Sequence, residues 1–213
     1  MWDSILASFE ALDLLSVFLA IGIGYFLGSI PCGLIITKLA VKLDIRGVGS
    51  GNIGTTNVLR SGHPILAAIT LICDMAKGFV PTFYFFLIPI YELSTLAGGA
   101  AVMGHIFPIW LRYRGGKGVA TYMGCLFGYN WKLGTVFVTS WVLVALFTRY
   151  ASLASILSCV ILMIVCIFLA VWQVIVFVFV FGTLIVAMHH ENIKRLWEGK
   201  EFRIGEKREN ASE

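Results

Sequence analysis

Glycine clustered with basic and amide side chains is the chemistry of phosphate capture, and this chain carries it twice. Gly47, Gly49, Gly51 and Gly54 fall within eight residues, mixed with Ser50, Asn52, Thr55, Thr56 and Asn57 and ending on Arg60. Glycines let a backbone turn through positive φ and bring N–H groups close to an anion. The second island runs from Gly104 to Thr121, contains His105, and ends Arg112-Tyr113-Arg114-Gly115-Gly116-Lys117-Gly118 just before an apolar segment. Lys117 therefore stands near a predicted helix N-terminus, where unpaired amides and the dipole favour a negative ligand, with Gly115 and Gly116 allowing close approach. The third island, His189 to Leu196, supplies His189 and Asn192 at i and i+3 on one helical face, a pairing that could accept a hydroxyl proton or hold a phosphate oxygen. Each island also has a plain structural reading: a flexible loop, arginines anchoring a helix end against headgroups, a basic helix terminus.

What the chain lacks narrows the chemistry. No Walker loop and no strand-linked G-x-G-x-x-G are present, no G-x-S-x-G elbow, and no acid cluster suited to Mg²⁺. Between Leu14 and His190 the only acids are Asp44, Asp74 and Glu92, so no paired-carboxylate hydrolase is available. Asp74 and Lys77, at i and i+3 in an apolar stretch, read as a self-neutralising pair. The five cysteines sit singly, without C-x-x-C spacing, and read as core residues. A cationic, amide-rich site without a metal suits phosphates whose own chemistry is already activated.

The elements that hold these islands must cross a bilayer. Of 213 residues 59% are hydrophobic and 13% charged, with mean hydropathy +0.89, far below the roughly 25% charge of a soluble domain. The chain is predicted to be an all-α polytopic membrane protein. The length rule places spans at Leu14–Thr37, His63–Tyr91 (kinked or broken by its prolines), Leu93–Leu111, Val119–Trp131 and Leu133–Phe147. Two more lie in the charge-free Tyr150–Met188, divided near Trp172-Gln173, which makes about seven. A five-span alternative merges the short fourth and fifth segments and keeps the last stretch as one. The first residues carry acids and no Lys or Arg, so the first span is expected to remain in the mature protein. With the N-terminus outside and the C-terminus cytoplasmic, 14 of 16 basic residues fall on the inner side, as the positive-inside rule requires. The parity of the spans puts all three islands on that face. Residues 1–201 read as one membrane domain and 202–213 as a charged, solvated cytoplasmic tail.

Ser50 to Arg60 (SGNIGTTNVLR), Gly104 to Pro108 with Arg114 to Thr121 (GHIFP, RGGKGVAT) and His189 to Glu201 (HHENIKRLWEGKE) closely resemble the three motifs of bacterial membrane acyltransferases that acylate glycerol 3-phosphate from acyl phosphate. The departures are Thr55 for Ala, Arg114 for Lys and His190 for Arg. The resemblance implies seven membrane helices and a cytoplasmic-facing site in the bacterial inner membrane. It implies that acyl phosphate, glycerol 3-phosphate and membrane lipids are the partners, with no acyl-CoA or acyl carrier protein required, no nucleic acid and no cofactor. By similarity, Arg60, Lys117, His189 and Asn192 would hold glycerol phosphate or the reacting groups. Ser50, Gly51 and Asn52, with Asn57 and Ser155, would line the acyl-phosphate pocket, and His105, Gly115 and Gly116 would join the substrate-binding set. The hydroxyl proton would go to neutral His189 or to a substrate phosphate oxygen. The substrate route is favoured, since the sequence positions no carboxylate to orient the histidine. A transporter of phosphorylated metabolites would instead show paired halves with charges at midplane.

Overall fold

A computed structural model describes residues 13–88, 90–168 and 172–206. The expected absence of a leader over the first dozen residues, the proline at 89 and the tail beyond Glu206 lie outside that range. The described chain is all-helical. Its helices are α1 (Leu14–Gly28), α2 (Cys32–Val41), α3 (Thr55–Arg60), α4 (Pro64–Phe86), α5 (Tyr91–Ile106), α6 (Val119–Tyr129), α7 (Trp131–Thr148), α8 (Ala151–Phe168), α9 (Trp172–Ala187) and α10 (His190–Trp197).

The first span is broken. Pro31 has no N–H, so the helix expected over Leu14–Thr37 stops at Ser29 and restarts at Cys32, and Leu14–Val41 together are long and apolar enough for one crossing. Of the stretch His63–Tyr91, expected to be kinked or broken, Pro64–Phe86 is one continuous helix that Pro81 does not interrupt, and the helix ends at Phe86. Pro64 itself sits in the first turn, where a missing N–H costs nothing. Tyr150–Met188 is two helices, α8 and α9, as its length predicts. Among the described residues five segments are long and apolar enough to cross a membrane, and a sixth is counted if Val174–Ala187 is joined to His190–Trp197 across a 56° bend. The expected fourth span is the 11-residue α6. At 1.5 Å per residue it rises about 16 Å, half of a hydrocarbon core roughly 30 Å thick.

Helices meet through small residues, as they do where lipid gives no hydrophobic drive for association. A Cβ on Gly24 or Gly28 of α1 would collide with the α5 backbone at Ala97 and Ala101, and one on Gly78 of α4 or Gly124 of α6 would collide with the opposite helix at Thr121 and Met75. The core between α6, α7, α8 and α9 is aromatic: Tyr122 stacks on Phe177 with centroids 5.4 Å apart, and Phe137 and Tyr129 meet the same pair edge-on. Leu14, Phe18, Leu146, Phe147 and Phe168 stay exposed on the rim that lipid would cover. This bundle holds the three polar islands at one end.

Candidate active site

The first island is a loop built around one amide. Asn57 is buried; its Nδ2 donates to the carbonyls of Asn52 (2.8 Å), Val48 (2.9 Å) and Ile45 (3.0 Å), and its Oδ1 accepts from Ser50 N–H (2.9 Å). Asn52 Oδ1 takes the Gly54 N–H at 2.9 Å. Gly49 at φ +61° makes the turn over Asn57, where a Cβ would strike the amide oxygen. Asn57 is thus spent inside the loop, while Asn52 shapes it through its side-chain oxygen. Gly51 faces outward and, with Arg46, Trp110, Arg112, Arg114 and Gly115, lines a cleft of about 990 Å³ between the first two islands, where Asp44 on the same wall pairs with Arg46 at 2.6 Å and leaves Arg112 and Arg114 to set its charge. Ser50 lies exposed beside it.

The second island hangs from the end of α5. Gly115 N–H donates to Ile106 O and Gly116 N–H to His105 O, both at 3.0 Å. The His105 ring lies beneath Gly116 so closely that any Cβ there would collide with Nε2. His105 itself is buried, its Nδ1 3.7 Å from Asp74 Oδ1, and Lys77 Nζ stands 2.8 Å from that same oxygen. The expected Asp74–Lys77 pair therefore forms. Gly118, at φ +86°, ends the loop and starts α6.

Lys117 reaches from this loop across 75 residues of sequence to the third island and donates to Asn192 Oδ1. The other end of that amide, Nδ2, donates to Glu201 Oε1 at 2.7 Å. Glu201 is the residue that sequence reasoning missed. It is 5% exposed and also accepts from Ser152 Oγ (2.9 Å) and Arg195 Nε (2.8 Å). Residues 202–204, the start of the stretch read as a solvated tail, lie against the site: the Arg60 guanidinium lies 5.0 Å over the Phe202 ring, Arg149 donates to Ile204 O, and Arg203 to Tyr150 Oη. The only available sequence signal was an acid closing the third motif two residues after Gly199, which turns the chain at φ +68°.

His189 is buried, and its Nδ1 lies 2.7 Å from Ile185 O. A carbonyl only accepts, so Nδ1 carries the proton and Nε2 keeps its lone pair. A backbone carbonyl thus supplies the orientation for which the sequence offered no carboxylate. Burial, and then the Lys117 charge, push His189 down to about 4 against the help of the Ile185 bond. Lys117 falls to about 8 through burial and the charges of Arg195 and Arg60, with Glu201 opposing. Burial presses the Glu201 carboxyl upward, but the bonds from Asn192, Arg195 and Ser152 outweigh it and hold the group below its ordinary value. Of the two serines, Ser152 enters the cluster. Ser155 lies one turn deeper, donating to Ala151 O and accepting from Trp141 Nε1. Arg60, Lys117, His189 and Asn192 are thus drawn together, while Gly51 and Gly115 wall the adjoining cleft. Among the described residues no His, Cys, Asp and Glu group has a metal-binding arrangement.

The profile described as "Glycerol-3-phosphate acyltransferase" matches residues 18–199. Proteins of that name from Bartonella henselae and Brucella anthropi are 45% and 46% identical to this chain over 188 and 191 residues, covering 86% and 88% of it and 89% and 93% of their own lengths. The fold is similar to the crystal structure of PlsY (YgiH), an integral membrane glycerol 3-phosphate acyltransferase, in its glycerol 3-phosphate form: TM-score 0.84 at 36% identity, over 89% of this chain and 96% of that one. Its lysophosphatidic acid form matches with TM-score 0.82 at 34% identity and the same coverage. With the profile spanning nearly all of the helical bundle and the relatives alike along nearly their whole length, this chain belongs to the glycerol-3-phosphate acyltransferase family.

Proposed function

We propose that the protein transfers a fatty acyl group from acyl phosphate to the sn-1 hydroxyl of glycerol 3-phosphate, giving lysophosphatidate and phosphate at the cytoplasmic face of the bacterial inner membrane. The observation that carries this reading is the Lys117–Asn192–Glu201–Arg195 chain, which joins the second and third islands beside Arg60 and next to a cleft flanked by arginines. One cationic centre and one cationic cleft suit two phosphates, and their adjacency would bring hydroxyl and acyl carbon together, which is most of what an activated mixed anhydride requires. In this reading seven membrane-embedded helices, α1/α2 counted as one, run from an outward N-terminus to a cytoplasmic C-terminus. Residues 1–201 form the catalytic domain and 202–213 its charged extension.

Arg60 and Lys117 hold the glycerol phosphate, and Asn192, fixed by Glu201, orients Lys117. The Ser50-Gly51-Asn52 loop and Gly115 receive the donor phosphate; Asn57, His105 and Gly116 shape those loops, and Ser155 supports α8. The glycerol oxygen bonds to the acyl carbon, the bond from that carbon to the phosphate oxygen breaks, and phosphate leaves with the electron pair. Developing negative charge is met by Lys117 and the arginines. The hydroxyl proton goes to a phosphate oxygen. A phosphate monoester's second ionisation lies near 6, above the value of about 4 for His189, so phosphate is the stronger base and His189 Nε2 serves to accept and aim the hydroxyl. Because the donor arrives activated, neither a metal nor acyl-CoA nor acyl carrier protein enters the reaction.

Detergent-purified protein given acyl phosphate and glycerol 3-phosphate should release phosphate and form lysophosphatidate, with acyl-CoA unable to replace the donor. Product from acyl-CoA but none from acyl phosphate would overturn the donor assignment.

A further inference from the structure

Asp74 and Lys77 are charged, 2% and 6% exposed, and lie inside a span, yet the reaction above uses neither. Ionisable groups at such depth are costly and call for a role. Lys77 Nζ donates at 2.7 Å to the carbonyl of Ile30, in the break between α1 and α2. From that break α2 leads to the first glycine loop and touches it directly, for Gly33 lies so close to the Ile53 carbonyl that a Cβ would collide. On the other side, Asp74 Oδ1 faces His105 Nδ1, and His105 supports the second loop twice, by its carbonyl on Gly116 N–H and by its ring under the Gly116 Cα. A single buried ion pair, 2.8 Å between its charges, therefore lies between the two loops, hydrogen-bonded to Ile30 O on one side and in electrostatic contact with His105 at 3.7 Å on the other. Trp110, on the cleft wall, makes a third tie by donating to Ser29 Oγ at 2.8 Å in the same break.

We propose that Asp74 and Lys77 are positioning residues that set the spacing of the two glycine loops, Lys77 through Ile30 and α2 for the Ser50-Gly51-Asn52 turn on the donor side, and Asp74 through His105 for Gly116–Gly118 on the acceptor side. The inference rests on the acyltransfer reading, which assigns the donor to the first loop and the acceptor to the centre around Lys117. Loop spacing then determines whether the hydroxyl reaches the acyl carbon, and an error of 1 Å in such geometry can cost on the order of a hundredfold in rate. A pair that only neutralised itself in lipid would leave the spacing alone.

The test compares purified Asp74→Asn, Lys77→Gln and the double variant, measuring thermal stability and steady-state kinetics with each substrate varied. Asp74→Asn should raise KM for glycerol 3-phosphate roughly tenfold with KM for acyl phosphate little changed, and Lys77→Gln should do the reverse. A single substitution strands its partner's charge, so the double variant, which leaves no unpaired charge, is the control for folding. It should fold, yet lose about a hundredfold in kcat/KM. Wild-type kinetics in a folded double variant, or single variants that raise both KM values alike, would overturn the proposal. If the wild-type protein itself gave no phosphate from acyl phosphate, the acyltransfer reading would fail on that control. Positioning would then be read from the rate at which an amine-reactive reagent labels Lys117. A severalfold change in the double variant supports the spacing role, and an unchanged rate refutes it.

Discussion

Glu201→Gln is the most informative single change, because glutamine keeps the shape and an acceptor oxygen while removing the charge. Glu201 accepts from Ser152, Asn192 and Arg195, and its side chain is 1% exposed against 27% for that of Arg195. Breaking a fully buried pair costs about 3 to 5 kcal/mol. Since the Arg195 end reaches water, a charge-assisted bond worth about 1.5 to 3 kcal/mol is the better measure. At about 2 to 4 °C per kcal/mol for a chain of this size, the melting temperature should fall by roughly 3 to 12 °C. The loss should depend on pH. The folded carboxyl lies below its ordinary value of 4.5, so its contribution is fully present above the unfolded pKa and disappears as pH falls through the folded one. Wild type and variant should therefore converge in stability in acid and differ most near neutrality. Activity should fall as well, since the glutamine amide can donate to Asn192 Oδ1, turn that side chain and release Lys117; about 1.4 to 2.8 kcal/mol, or ten- to a hundredfold in kcat/KM, is expected. The assay pairs thermal denaturation from about pH 2 to 8, so that it passes below the folded carboxyl's titration, with phosphate release near neutrality. A variant with wild-type melting at pH 7 and wild-type kcat/KM would refute the reasoning that Glu201 anchors the site.

Lys117→Ala should lose about 2 to 5 kcal/mol of transition-state binding, read as a fall in kcat/KM; near-normal activity would remove Lys117 from the site. Because Lys117 titrates at about 8 and must be charged to grip phosphate, wild-type activity should decline as pH rises through that value, and Lys117→Arg should abolish the alkaline limb of whatever activity it retains. Arg60→Lys should weaken glycerol 3-phosphate binding, since a point charge replaces neither the two-donor fork nor its stacking on Phe202; full turnover in that variant would contradict the assignment. His189→Ala should leave slow turnover with an unchanged pH profile if phosphate takes the proton, whereas loss of the acid limb would make the histidine the base.

Composition and local spacing did not show the break before Cys32, which the charge-free Leu14–Thr37 stretch hid, but were enough to reveal a helical membrane protein and three polar islands whose parity brings them to one end. These are legible because hydropathy acts over a span and because Gly115-Gly116-Lys117 or His189 and Asn192 carry their chemistry within a turn of helix. The continuity of α4 was not legible: its prolines suggested a kink or a break, yet Pro64–Phe86 is one helix across Pro81. Nor could the sequence separate Asn57 as a clamp from Asn57 as a ligand, or Ser152 from Ser155, since each choice depends on which face another element covers. Glu201 sits among charges of both signs and looks solvated until the chain folds back and buries it against α8 and α10. The ties from Lys117 to Asn192, and from Lys77 to Ile30, span 75 and 47 residues. A hydrogen bond over such separations has no local signature, because helix packing alone brings donor and acceptor within 3 Å of each other.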